Sequence, residues 1–279
     1  MAVSGGVLTV LLGACGNGSC DGASCEADAS SPPPALPASG ASAPAPTPAS
    51  YRKPRIAAVD YTGVYDAQRQ TQLAKFDFLI LGAYPSSADR AVQSVAHIRA
   101  LNPAIKVANY TIFSDLVDSH APSDPLPAVQ EVDRSDWWLR DKDAAKVSWT
   151  SAFNTQQVNF TTWAPLNSAG QSWAQWKAAF DTRTLYSKLK WDYAFVDNVF
   201  HAPRVDADWK RNGSNQPRSD STIGAETRLG YVRFFNELKR LNTGIKVIGN
   251  VDGDLDEPEW NGKLEGAFLE GQMGRDWSL

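Results

Sequence analysis

Tyr193-Ala-Phe-Val-Asp197-Asn198 is the stretch on which the fold turns. A run of apolar and β-favouring residues ends abruptly in a carboxylate and an amide, and a buried strand has no reason to stop on an acid unless water or a ligand waits there. Leu264-Glu-Gly-Ala-Phe-Leu-Glu270 repeats the pattern. In parallel β/α sheets and barrels the C-terminal strand ends build the active site. The two segments therefore predict Asp197 and Glu270 on one rim. Two carboxylates so delivered are the minimum equipment for cleaving a glycosidic bond.

Outward from Asp197, strand-like and helix-like segments alternate. Upstream, Arg55-Ile-Ala-Ala-Val-Asp60, Phe76 to Tyr84 and Ile105-Lys-Val-Ala-Asn109 read as the first three strands, with a helix over Ala88 to Leu101 whose apolar positions Val92, Val95, Ile98 and Leu101 keep close to the 3.6-residue period. A long insertion from about Thr111 to Ser172 follows, of the kind that is usually functional or separately packed. Trp173 to Lys190 returns to a helical pattern and leads into the fourth strand, ending at Asp197. A helix near Glu226 to Leu241 precedes the fifth strand, Ile245 to Asn250, and Leu264 to Glu270 is the sixth. This alternation implies a parallel sheet with helical crossovers, either open or closed. Asp60-Tyr-Thr-Gly63 after the first strand lacks both the G-x-G-x-x-G and the G-K-[ST] patterns, which lowers nucleotide binding and favours the barrel.

The N-terminus has a different character. Val7-Leu-Thr-Val-Leu-Leu-Gly-Ala-Cys15 is an apolar run too short to span a bilayer. It resembles the end of a bacterial lipoprotein signal peptide, with Leu12-Gly13-Ala14-Cys15 as lipobox and Cys15 as the acylated residue, although no basic residue precedes Arg52. Residues 1–15 are thus expected to be a leader. Residues 16–50, rich in Ala, Pro and Ser, are expected to be a tether that cannot bury enough surface to order itself. Residues 51–279 would hold the barrel. The expected location is the bacterial cell envelope, lipid-anchored or secreted. Cys15, Cys20 and Cys25 all precede the folded part, so cysteine chemistry plays no role there.

Composition narrows the partners. With 27 basic and 31 acidic residues the formal charge is −4, which argues against nucleic acid or an anionic membrane surface as the main partner. All ten tryptophans lie between Trp137 and Trp277. That distribution is compatible with a carbohydrate cleft, while the plainer reading is that most of them fill the core.

The segments Trp191-Asp-Tyr-Ala-Phe-Val-Asp197-Asn198, Asp208-Trp209, Val247-Ile-Gly-Asn250 and Leu264 to Glu270, with Trp138-Leu-Arg-Asp141 and Val158-Asn159 upstream, resemble the hypothetical glycosyl hydrolase group often called GHL15-type. More distantly they resemble polygalactosaminidase-type and α-galactosidase-type barrels. The resemblance spans most of residues 55 to 270. It implies a (β/α)8 barrel in which Asp197 attacks the anomeric carbon and Glu270 protonates the leaving oxygen and later activates water, with no cofactor. Retaining chemistry needs carboxyls ~5–5.5 Å apart and inverting chemistry ~6.5–9.5 Å; both stay open at this point. The apolar run before Glu270 supplies the desolvation that holds a proton on an acid.

Other strand ends predict the binding shell: Asp60, Tyr84, Asn109, Asn198, Asn250 and Asp252 as hydrogen-bonding groups, His201 within reach of substrate, and Trp209 as the stacking residue. No metal is expected. Asp252-Gly-Asp254-Leu-Asp256 opens like a calcium loop but has Glu257 where glycine is required and Lys263 where the closing glutamate belongs. His97, His120 and His201 lack ligand spacing.

The segments add up to six strands, and the chain after Arg55 is shorter than the ~250 residues of a closed barrel. The expectation is a barrel truncated after about six strands, with the edges of strands one and six unpaired, through a truncated reading frame or fragment or with a partner segment encoded elsewhere. Two further hypotheses compete with a membrane-tethered glycoside hydrolase acting on a poly- or oligosaccharide: a non-catalytic carbohydrate-binding lipoprotein, and an inactive truncated barrel.

Overall fold

The computed structural model describes residues 8–12, 55–118, 127–152, 154–210, 216–252 and 257–269. Cys15 and Glu270 lie outside the described residues, as do Cys20, Cys25 and the whole of the tether expected over residues 16–50. The strands are β1 (Leu8–Leu12), β2 (Arg55–Asp60), β3 (Phe78–Leu81), β4 (Lys106–Ile112), β5 (Asp115–Val117), β6 (Thr155–Gln157), β7 (Tyr193–Asp197), β8 (Lys246–Asn250) and β9 (Gly266–Phe268). The α-helices are α1 (Ala67–Leu73), α2 (Ala88–Leu101), α3 (Pro127–Arg134), α4 (Trp173–Asp181) and α5 (Ser221–Leu241).

Strands β2, β3, β4, β7, β8 and β9 pair in parallel and in chain order. This is the arrangement of a (β/α) barrel over six of its strands, curled as a half-barrel, and each of the six was legible as an apolar run. The edge of β2 differs from expectation. There β1 pairs antiparallel, Leu8 opposite Val59 through Leu12 opposite Arg55, so this edge is covered. The reason is physical: a five-residue apolar run too short for a bilayer can satisfy the free N–H and C=O groups of an edge strand.

Side-chain parity divides the sheet into two layers. Ala58, Leu79, Leu81, Val107, Ala194, Val196 and Val247 point into the main core, against Val95 and Ile98 of α2 and Phe234 and Leu238 of α5. The alternate positions, Val59, Phe78, Ile80, Ala108, Tyr110, Tyr193, Phe195, Ile248 and Phe268, form a smaller cluster on the opposite, inner face. Asp197 follows Phe195 by two residues and shares its face.

Helix ends explain where the sequence reading slipped. Helix α5 begins at Ser221, five residues before the expected Glu226, because Asp220 caps it by accepting from the N–H groups of Thr222 (2.7 Å) and Ile223 (3.3 Å). Helix α4 ends at Asp181 and continues as a π-turn over Thr182–Tyr186. There the hydroxyls of Thr182 and Thr184 donate to the carbonyls of Ala178 and Phe180, each at 2.7 Å, in competition with the backbone ladder. Inside α4, the buried Lys177 and Asp181 pair at 2.5 Å, and Lys177 Nζ also reaches Thr111 Oγ1 on β4 at 3.1 Å. This ties the helix to the sheet two residues past Asn109.

The insertion between β4 and α4 packs a satellite core of its own. Leu139 from the insertion, Val205, Ala207 and Trp209 from the loop after β7, and Ile223 from α5 close on one another. Most of the tryptophans are core residues: Trp137, Trp138, Trp173, Trp191, Trp209 and Trp260 are all buried.

Candidate active site

Parallel register brings three strand ends together. Ile112 of β4 lies opposite Asp197 of β7, and Val196 lies opposite Gly249 of β8, one residue before Asn250. Both carboxylate oxygens of Asp197 are consequently held. The Tyr110 hydroxyl donates to Oδ2. Asn250 Nδ2 donates to Oδ1 at 2.7 Å, and the backbone N–H of Asn198 donates to the same oxygen at 3.0 Å. Burial and the neighbouring Asp197 carboxylate push the Tyr110 hydroxyl far above the usual phenol range, so it acts as a donor at any physiological pH.

The backbone turns sharply just past this carboxylate. Asn198 has φ +59°, a left-handed conformation that asparagine tolerates better than most residues. Its carbonyl accepts a hydrogen bond from Tyr231 of α5, and Val199 N–H donates to the Asn250 carbonyl at 2.8 Å. The strand end is therefore fixed from the helix layer and from the neighbouring strand.

A second acid, Asp115, sits on the other side of the β4 end. It is buried, and its Oδ2 accepts from Trp149 Nε1 (3.2 Å) and Gln157 Nε2 (3.1 Å). Burial, reinforced by the charge of Asp197, pushes its carboxyl up to about 6 against the opposing hydrogen bonds and Arg204. The Arg204 guanidinium lies 4.0 Å from the Trp149 ring centroid and 3.5 Å from that of Phe200. Asp115, Trp149, Gln157, Arg204, Trp209 and Tyr231 share the lining of a cavity of about 10 Å³, on the scale of one water.

The expected binding shell separates into two groups. Asn250 is in direct contact with Asp197. Asn198 shapes the turn, and Asp252 lies within the electrostatic field of Arg204. Tyr84 is 39% exposed past the end of β3. The His201 ring is exposed, and its carbonyl accepts from Arg228 at 3.0 Å. Asp60, Asn109 and Trp209 are placed differently from the sequence reading. Asp60, 4% exposed, has the parity of Ala58 and faces the helices, where Arg69 Nε (2.6 Å) and the Thr62 hydroxyl (2.7 Å) occupy its oxygens. Asn109 is fully buried with the parity of Val107, and its Oδ1 accepts from Ala83 N–H at 3.1 Å. Trp209, 1% exposed, fills the satellite core.

Tyr110, Asp115, Arg204 and Tyr231 were missed by the sequence reading. Tyr110 follows Asn109 inside β4 and so points the other way, but the sequence reading ended that strand at Asn109. The other three come from β5, the loop after β7 and the distant helix α5. Among the described residues, no group of three or more histidines, cysteines, aspartates and glutamates is arranged to hold a metal ion. Nor is any helix there long and apolar enough to cross a membrane.

No protein-family model and no curated protein sequence matches the chain. Among solved structures it is similar to the glycoside hydrolase domain of PelA from Pseudomonas aeruginosa, at 16% identity and TM-score 0.45, over 77% of this chain and 66% of that one. It is similar to the GH36 α-galactosidase AgaA from Geobacillus stearothermophilus at 9% identity and TM-score 0.48, over 76% of this chain and 30% of that one. A further similar structure is an Anoxybacillus α-amylase, at 9% identity and TM-score 0.43, over 73% of this chain and 43% of that one. The chain thus spans about two thirds of the PelA domain and less than half of each of the other two. At this level of likeness, Asp197 and its partners carry the functional argument alone.

Proposed function

We propose that the chain is a glycoside hydrolase that cleaves O-glycosidic bonds of a poly- or oligosaccharide with Asp197 as nucleophile and Glu270 as acid/base. The observation that carries this is the state of Asp197: a strand-end carboxylate on the inner face of the half-barrel, held at both oxygens by donors from β4 and β8. A carboxylate oriented in this way can attack an anomeric carbon without first paying for its own alignment. As the glycosidic C–O bond breaks, the acid gives its proton to the leaving oxygen and a glycosyl ester forms on Asp197. Water, deprotonated by the same residue, then attacks the anomeric carbon and frees Asp197.

Glu270 takes the acid/base role from the resemblance to GHL15-type barrels alone. The retaining course described above is the one that a nucleophilic Asp197 requires. Attachment to a bacterial envelope through a lipidated Cys15 belongs to the same proposal. Cleavage before Cys15 would remove β1 and leave β2 as the edge of the mature sheet. Export and acylation are checked by metabolic labelling with a fatty acid in the wild type and in Cys15→Ser.

The test of the enzymatic reading is a hydrolysis screen over neutral and amino-sugar polysaccharides, with Asp197→Asn and Glu270→Gln beside the wild type. Loss of turnover in both variants supports the assignment; persistence of turnover in both contradicts it.

A further inference from the structure

The inner face of the half-barrel carries a row of aromatic rings from solvent down to Asp197. Tyr61, the first residue past β2, is 54% exposed, and Tyr84 lies beside it past β3. Rings of this size left in water are informative when the fold holds them there deliberately. Here they are held: the Tyr84 hydroxyl donates to the Tyr61 carbonyl at 2.7 Å. Two glycines make the room. A Cβ on Gly82 would lie 2.7 Å from the Tyr61 backbone, and one on Gly63, at φ +74°, would lie 3.0 Å from the Tyr84 ring.

The row continues inward. The Tyr61 and Tyr110 ring centroids are 5.7 Å apart, and those of Tyr110 and Phe195 are 5.8 Å apart. Tyr110 is also the residue that holds Asp197. Charge plays little part on the outer rings, because Asp60, next to Tyr61 in the chain, is neutralised by Arg69 at 2.5 Å.

We propose that Tyr61 and Tyr84 form a sugar-stacking platform, a subsite that receives a neutral pyranose ring through its apolar C–H face and leads the saccharide towards Asp197. It rests on the hydrolase reading for the identity of what lies at its inner end, but binding to it is separable from turnover. The platform takes over the stacking role expected of Trp209, whose ring is buried. An occupant with one apolar face and a polar rim matches the surface: π-faces flanked by phenol oxygens, without a committed charge. Gly63 and Gly82 acquire a purpose on this reading, since both are needed for the tyrosines to stand where they do.

The test uses the full chain carrying Asp197→Asn, so that turnover is suppressed, titrated calorimetrically with maltohexaose, cellohexaose and chitohexaose. At least one of the three binds saturably. Tyr61→Ala in that background weakens its Kd about tenfold, the size of one aromatic stacking contact, while Tyr61→Trp restores it. Tyr84→Ala serves as a second variant read the same way, and cooperative thermal unfolding establishes that each is folded. Absence of binding by all three sugars, or an unchanged Kd in both folded alanine variants, overturns the platform. Hydrolysis by the otherwise wild-type chain is followed in parallel. Turnover that needs Asp197 but ignores Tyr61 and Tyr84 contradicts the platform and leaves the nucleophile standing; Tyr61-dependent binding without turnover contradicts the hydrolase and leaves the platform.

Discussion

The hydroxyl of Tyr110 donates a hydrogen bond to Oδ2 of Asp197, across the register in which Ile112 faces Asp197 on the neighbouring strand. The phenol is held protonated by burial and by the carboxylate it serves, so the contact persists across the working pH range. Tyr110→Phe keeps the ring between Tyr61 and Phe195 and removes only the donor. We expect kcat to fall about 10- to 100-fold with KM little changed, the loss of one hydrogen bond to a charged group at about 1.5–3 kcal/mol. Steady-state kinetics against the wild type measure it.

The turn after Asp197 gives a second prediction. Asn198 at φ +59° suits asparagine or glycine, whereas a Cβ without a local hydrogen-bonding group is penalised there. Asn198→Gly should keep its stability within about 0.5 kcal/mol, and Asn198→Val should lose roughly 1–2 kcal/mol. Urea unfolding reads both. Activity should fall with the Val variant more than its stability does, because the turn aims Asp197.

Asp115 makes stability depend on pH in an uncommon direction for a carboxylate. Its folded value, about 6, lies above the ordinary aspartate range near 4, so the native state binds its proton more tightly than the unfolded chain does. The contribution is fully present below about pH 4 and is lost as pH rises through about 6, amounting to about 3 kcal/mol. Asp115→Asn keeps an acceptor for Trp149 and Gln157 without the charge. The variant should therefore lose this slope and be more stable than the wild type at pH 8. Chemical denaturation at pH 4.5, 6 and 8 resolves the difference.

The Lys177–Asp181 pair inside α4 supplies a fourth. Both groups are buried and Asp181 also accepts from Thr111 Oγ1 at 3.2 Å. Lys177→Met alone strands a buried acid and should cost roughly 3–5 kcal/mol. Lys177→Met combined with Asp181→Leu should recover most of that loss, since an apolar pair of similar size avoids the desolvation of two charges. A double-mutant cycle by urea unfolding gives the coupling.

Much of the architecture was legible because buried parallel strands are apolar on both faces. Phe76 to Tyr84, Ile105 to Asn109 and Tyr193 to Asp197 announce themselves as runs, the last as a run that stops on an acid, although β4 in fact extends to Ile112. The two faces of a strand were harder to tell apart for the same reason. Asp60 ends β2 as expected, whereas β4 runs three residues past Asn109 to Ile112, and parity sends the two to Arg69 and to the helix layer instead of the inner face. Tyr110, one place from Asn109, takes the position by the carboxylate. Asp115, Arg204 and Tyr231 were beyond reach because their meeting depends on how the insertion, the loop after β7 and α5 fold over one another. Trp209 shows the opposite error: a large aromatic in a loop after an active-site strand looks exposed until the satellite core formed by Leu139, Ala207 and Ile223 is seen.

The most direct measurement is turnover by the full chain with and without the Asp197 carboxylate. Reducing-end release is followed for each polysaccharide in the screen, with Asp197→Asn run at matched concentration and matched cooperative unfolding. The expected result is cleavage of at least one polysaccharide by the wild type and a fall of about a thousandfold in the variant, roughly 4 kcal/mol of transition-state stabilisation. Equal rates in the two proteins, or no cleavage of any polysaccharide by the wild type, would contradict the assignment of Asp197 as a glycosidase nucleophile.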